Sequence, residues 1–355
     1  MNTSIHEIPA TGAIISPPDY RDGYAASAVA EQIRKQIVLP ASYRTPLSAP
    51  MMQALEPACV SHSVADVLKL YWFRKTGKMV DFSPRFLDIL AKRFDGQNRV
   101  TGGTYPRLIF KLAVQYGCAT TATLPNDTSL PILEYRDDGK LTSEVFAEAA
   151  HYRIPGYVAI PLDFLGTRQA IYLYGGISTL FQIGNELWTP SWADKDIDPL
   201  RIPKTIVSGH QMTPFGWEDD TYNNLQNEWS ASWANYGRAK YDPKAWSPYI
   251  IEQWAVAEIP PNVQDFLKAL PAPSAFHCRW EKDLALGDNN NDVKFAQIAY
   301  MILGFLAPVP ADELGIFGPK TAVANAKYQQ AHRIPPSPNH IGPRTRAALN
   351  AEFAI

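Results

Sequence analysis

The chain has 355 residues, 46% of them hydrophobic and 19% charged, with a formal net charge of −2. This composition can build a sizeable core and excludes wholesale disorder, and the near-neutral balance gives no basis for a nucleic-acid or anionic-membrane partner. Three cysteines, Cys59, Cys118 and Cys278, are too few and too odd in number for a disulfide framework, so folding in a reducing cytoplasm is expected.

The N-terminus, MNTSIHEIPATGAIISPP, lacks the basic start and the apolar stretch of a signal peptide. No run approaches the ~18 apolar residues of a membrane span. Action outside the producing cell would need a route other than a signal peptide. Residues 1–45 are rich in proline and turn formers and read as an extension laid on a larger domain, with a helix expected between Ala25 and Ile37.

Beyond it, Val60, Val64, Val67, Leu68 and Tyr71 are spaced along one face of a helix that opens at Cys59. The pattern recurs in Tyr105, Leu108, Ile109, Leu112, Ala113 and Tyr116, and Gly117 is a helix stop. After about residue 155 the pattern changes. The stretches Gly176–Ile183 and Ile250–Ile259 read as strands. Helices first and strands later predict an α+β domain in two halves with a cleft between them.

The stretch 260–280 reads as a linker to a small helical unit. That unit repeats Gly318-Pro319-Lys320-Thr321 as Gly342-Pro343-Arg344-Thr345. Each copy should open a helix, because proline in the first turn loses no hydrogen bond.

A thiol attacks as thiolate, and a helix N-terminus or a neighbouring imidazolium lowers its pKa. Cys59 has the first feature by pattern. His62, one turn on, and His210 are the candidate partners. On these grounds alone an inert buried cysteine is the commoner outcome. No metal or other cofactor is expected, since neither an HExxH motif nor a CxxC pair occurs.

Four segments in order resemble a papain-like cysteine peptidase. Gln53 precedes Cys59 by six positions. Thr101-Gly102-Gly103-Thr104-Tyr105-Pro106 resembles the family's glycine-rich substrate loop. Gly209-His210, followed by Gly216-Trp217, resembles its histidine strand. Asn227-Glu228-Trp229, running to Trp233 and Gly237, resembles its Asn-Ser-Trp-Gly stretch.

The resemblance implies a helical lobe and a β lobe over residues 39–259. It implies Cys59 as nucleophile, His210 as base and acid, Asn227 as the group that orients the imidazole, and Gln53 as an oxyanion donor. Trp229 is expected to shield the His–Asn bond at the substrate site. Gly102 and Gly103 are expected to bind an extended substrate, with Gly103 pairing its backbone.

The sequence departs from the family in places. Glu56-Pro57-Ala58 precedes Cys59, so position 56 lacks the cysteine that anchors a disulfide in secreted relatives. Glu228 replaces a serine, and Gln211 replaces the small residue after the histidine. Residues 1–38 are shorter than the usual inhibitory propeptide, so activation by its removal is not expected.

Residues 281–355 resemble a three-helix peptidoglycan-binding domain through Leu286-Gly287-Asp288, Gly315-Ile316-Phe317-Gly318-Pro319-Lys320-Thr321, Tyr328-Gln329 and Ile341-Gly342-Pro343-Arg344-Thr345. Together the two resemblances imply a cysteine endopeptidase brought to bacterial cell wall, with a protein or a peptidoglycan stem peptide as substrate. A phage-encoded or injected lytic protein fits the missing signal peptide. A non-catalytic binding protein on the same fold is the competing expectation.

Overall fold

The computed structural model describes residues 11–23, 25–26, 37–53, 56–188, 199–229, 231, 233–273 and 276–354. The helix expected over 25–37 lies for most of its length outside them. The chain forms two compact units, Met1–Pro17 with Gln32–Ile259 and Pro18–Glu31 with Pro260–Ile355. Among the described residues no helix is long and apolar enough to cross a membrane.

The first unit is built on one long helix, α1 (Cys59–Thr76), whose residues are buried as far as Leu70. Ala58 precedes it with no side-chain cap, and Gly77, at φ 71°, ends it by donating to the Phe73 carbonyl. Helices α2 (Pro84–Ala91) and α3 (Pro106–Gln115) pack on it, each with proline in its first turn. The Ser83 hydroxyl caps α2 by accepting from the Phe86 N–H. Val64, Leu68, Phe86, Leu90, Ile109 and Phe110 form the centre of this core. Short helices α4 (Ile132–Tyr135) and α5 (Ser143–Ala149) follow on the same side of the sequence.

The second half is a sheet of β1 (Tyr43–Arg44), β2 (Tyr157–Ala159), β3 (Ser178–Ile183), β4 (Ser208–Trp217), β5 (Asn223–Gln226), β6 (Arg238–Tyr241) and β7 (Ile250–Val256). The order is β2-β7-β3-β4-β5-β6, with β1 also on β4, and every pairing is antiparallel. The α+β class matches the expectation from sequence, but the order of helices first and strands later does not hold throughout, since β1 precedes the helices and a helix over Phe164–Tyr174 lies between β2 and β3.

Strand β4 positions the site. Its first half pairs with β3, Phe181 opposite His210, and its second half with β5, Thr213 opposite Gln226. Asn227 is therefore the first residue past the β5 ladder, on the side toward His210, and its N–H is held by the Gly237 carbonyl.

The second unit contains α6 (Pro261–Ala269), α7 (Asn291–Ile302), α8 (Pro319–Ala331) and α9 (Pro343–Phe353), with a small ladder of β8 (Leu284–Ala285) and β9 (His340–Ile341). Gly318 and Gly342 do precede helices that begin with proline. The repeated threonines have one task. Gln297 donates to Thr321 and Gln329 donates to Thr345, each bond buried at 2.9 and 3.0 Å respectively, so the repeat fixes how successive helices meet.

Two expectations are corrected here. The supposed linker is structured: it supplies α6, and Leu270, Phe276 and Trp280 are buried in this unit's core. Part of the N-terminal extension belongs to the same core rather than to the larger unit. Tyr20 is buried in it and donates to the Pro271 carbonyl at 2.7 Å.

Candidate active site

Cys59 opens α1 and has no exposed surface. His210 on β4 is equally buried. Its Nε2 donates to Asn227 Oδ1 at 2.8 Å, so in this tautomer Nδ1 carries the lone pair, and Nδ1 has no hydrogen-bond partner among the described residues. Strand β4 lies along α1, where the Ser63 and Thr213 hydroxyls share a hydrogen bond at 2.9 Å. The ring of Trp229 lies on the imidazole, centroids 4.6 Å apart, and Trp233 meets Trp229 edge-on. Trp229 thus covers the histidine side of the His210–Asn227 bond.

The Gln53 amide nitrogen donates to the Glu56 carbonyl at 2.7 Å, and the Gln53 N–H to the Glu228 carbonyl at 2.7 Å. Glu228 also accepts from the Met51 N–H at 2.5 Å. The residue that replaces the family's serine therefore fastens the Gln53 segment to the Asn227 segment, and burial pushes its carboxyl well above the usual range. His62 is tied elsewhere. Its Nδ1 donates to the Ala58 carbonyl and its Nε2 accepts from Asn126.

The cleft is filled by the chain's own residues 11–16. The Gly12 N–H donates to Cys59 Sγ at 3.3 Å. The Thr104 N–H donates to the Gly12 carbonyl at 2.8 Å, and the Ile14 N–H donates to the Thr104 carbonyl at 3.0 Å, a parallel bridge. Thr11 and Ser208 share a hydroxyl hydrogen bond on the β4 side. Ser16 is held through its N–H by Glu252 at 2.9 Å. The strap thus runs between the glycine loop and β4.

An N–H, not a carbonyl carbon, meets the sulfur, and the Gly12 carbonyl is committed to Thr104. Residues 11–16 thus lie against Cys59 although the stretch 1–38 is shorter than the usual inhibitory propeptide.

Gly103 does permit the close approach, because a Cβ there would run into the Gly12 carbonyl oxygen. The backbone pairing itself is made one residue later, by Thr104, because the Gly103 carbonyl is taken by the Lys92 ammonium at 2.6 Å. Gly102 sits tight against Asn98, to whose carbonyl it donates at 2.9 Å, so its small size shapes the loop.

The thiol is not lowered by its helix position. Burial pushes Cys59 up to about 11, outweighing the N–H donors of Gln211, Gly12 and Val60. Burial likewise pulls His210 down to about 4, against the hydrogen bond to Asn227, with the charge of His62 adding to the fall. With the strap in place both groups are held neutral.

Sequence reasoning missed the strap, Thr104, Lys92 and the role of Glu228. The one available signal was Gly12, a glycine in a proline-bounded extended stretch. The others depend on contacts far apart in the chain.

No protein-family model matches the chain, and no curated protein matches its sequence. Solved structures do match. Xylellain, a cysteine protease from Xylella fastidiosa, matches over 73% of this chain and 100% of its own, at 16% identity and a TM-score of 0.57. ProCathepsin B S9 from Trypanosoma congolense matches over 70% of this chain and 86% of its own, at 17% identity and a TM-score of 0.54. Digestive procathepsin L 3 of Tenebrio molitor larval midgut matches over 63% and 71%, at 15% identity and a TM-score of 0.50. At these identities the likeness is one of architecture, and it establishes that the chain carries the fold of the papain-like cysteine proteases.

Proposed function

We propose that the protein is a cysteine peptidase, latent in this conformation, that hydrolyses peptide bonds through Cys59, His210 and Asn227. The observation that carries the reading is the His210–Asn227 hydrogen bond, which leaves His210 Nδ1 as a base on the strand packed against the helix that opens at Cys59. In turnover, Nδ1 takes the thiol proton and the sulfur attacks the substrate carbonyl carbon. The Cys59 N–H and the Gln53 amide hold the oxyanion. The imidazolium then protonates the leaving amine, and water releases the thioester by the same base. The backbone of Thr104, which pairs with an extended segment here, is the natural rail for an extended peptide.

The second unit targets the enzyme to bacterial cell wall in this reading, as a phage-encoded or injected lytic protein acting on a wall protein or a stem peptide. Its support is the repeated Gly-Pro-Lys/Arg-Thr motif, together with a groove of about 410 Å³ lined by Leu286, Pro319, Val323, Lys327 and Asn339.

An epoxide cysteine-peptidase inhibitor tests the first part. Mass analysis should find it on Cys59 and not on Cys118 or Cys278. Labelling elsewhere, or none after the strap is displaced, would leave a non-catalytic protein on this fold. Digestion of purified cell wall beside a denatured protein, with product masses, decides the substrate.

A further inference from the structure

Arg136 follows α4 and is fully buried, although arginine is rarely so. All five of its N–H groups are used. Nε donates to Asp88 Oδ2 at 2.6 Å and Nη2 to Asp88 Oδ1 at 3.2 Å, a two-pronged pair with α2. Nη1 donates to the carbonyls of Arg99 at 2.7 Å and Gly102 at 3.2 Å. Nη2 also reaches the Pro57 carbonyl at 3.4 Å. In return the Arg99 side chain donates to the Arg136 carbonyl. One guanidinium therefore joins the loop that leads into Cys59 to the loop that pairs with an extended backbone, and Asp88 anchors both to the helical core.

The choice of carbonyls has a consequence for binding. Arg136 takes Gly102 and Lys92 takes Gly103, so the inner carbonyls of the loop are committed. The next polar groups, the Thr104 N–H and C=O, are the ones turned to the cleft. Position 56 lies one residue from the Pro57 carbonyl, and the Glu56 carboxylate feels the charge of Arg136. This is the position whose cysteine is missing from the sequence.

We infer that Arg136 is a positioning residue: its guanidinium holds the glycine loop in register with the Cys59 loop, a non-covalent clamp that needs no oxidised cysteine. The role of the clamp in turnover rests on the peptidase reading above. The clamp itself does not.

Two full-length variants test it. Arg136→Lys keeps a charge opposite Asp88, but an ammonium cannot reproduce the planar five-donor fork. Arg136→Met with Asp88→Asn removes both charges, so that no lone buried charge is left to unfold the protein. Two measurements are made. In amide hydrogen exchange, Gly102, Gly103, Thr104 and Cys59 should exchange at least about tenfold faster in either variant. In kinetics, the KM of an extended peptide should rise about ten- to a hundredfold, with a smaller fall in kcat per epoxide-titrated Cys59. A single-residue ester too short to reach Thr104 should be affected much less, which a loss of general stability would not spare.

Unchanged exchange in a folded variant, or equal losses on peptide and ester, would overturn the proposal. If the protein neither takes the epoxide nor cleaves either substrate once Gly12→Val has displaced the strap, the peptidase reading fails, and the exchange arm still decides the clamp. If both variants fail to fold, native-state exchange of the wild-type chain decides it. The segments 56–59 and 98–104 must then open as one unit with Arg136, and separate opening free energies would refute the clamp.

Discussion

Gly12 and Cys59 are joined by a hydrogen bond in which a backbone N–H donates to the sulfur at 3.3 Å. The bond is possible because Gly12 has no side chain: a Cβ there would collide with the Pro57 backbone carbonyl. A residue in the extension thus fits only as glycine, and it fits against the proposed nucleophile.

Gly12→Val should therefore lift the strap without touching the catalytic groups. The expected result is a rise of at least about tenfold in the rate at which an epoxide or iodoacetamide modifies Cys59, the size that loss of a few contacts worth about 1.4 kcal/mol produces. The kcat/KM for an extended peptide should rise with it. Gly103→Ala is the informative contrast, because it also collides with the strap but narrows the rail for any extended peptide. Alkylation should rise there while peptide turnover does not. Equal alkylation rates in Gly12→Val and wild type would show that the strap does not guard the thiol.

The catalytic set has its own signature. Cys59→Ala should abolish turnover and leave the fold nearly intact. His210→Ala should cost about as much, since members of one catalytic unit are not additive. Gln53→Ala should lower kcat by about 10²–10³ with little change in KM, if its amide holds the oxyanion. A pure KM effect would make Gln53 a substrate-binding residue. His62, bonded to Ala58 and Asn126, should matter to stability more than to turnover.

How far these assignments could be read from sequence follows from their chain distance. Gln53 and Cys59 lie on one short stretch, and His210 lies on β4 with Asn227 just past the adjoining β5, so order and spacing expose them. The helix at Cys59 is legible because its apolar face repeats. The strap is not legible. Residues 11–16 have no periodic signal, and their place is set by partners near positions 59, 104, 208 and 252. Arg136 carries no motif either, since its five acceptor atoms are three backbone carbonyls, at Pro57, Arg99 and Gly102, and the two carboxylate oxygens of Asp88 on α2. The supposed linker misled for a similar reason: proline at 260, 261, 271 and 273 looks like a spacer, whereas Leu270, Phe276 and Trp280 are core residues.

The buried imidazole links the site to stability. The His210 pKa falls from an ordinary value near 6.5 to about 4, so between those values the unfolded chain binds the proton that the folded one refuses. Stability is then present above about pH 6.5 and is lost as pH falls toward 4. For one such group the loss between pH 7 and pH 4.5 is about 2 kcal/mol. His62, lowered by burial as well, adds in the same direction. Denaturant unfolding of wild type and His210→Gln at the two pH values should show the smaller decline in the variant. Parallel declines would mean that His210 titrates normally in the folded protein.

The second unit gives the last prediction. Tyr20 is 6% exposed, lies in the core formed by residues 260–355, and donates to the Pro271 carbonyl. A fragment of residues 260–355 alone should therefore have a hole where that ring sits. Tyr20→Ala in the full chain should weaken the unit by about 2–4 kcal/mol, the range for emptying a large buried site and orphaning its hydrogen bond. The same loss should appear as a lower melting temperature of the fragment, regained when a peptide of residues 18–31 is added. A fragment equally stable with and without the peptide would show that the N-terminal segment is not part of this core.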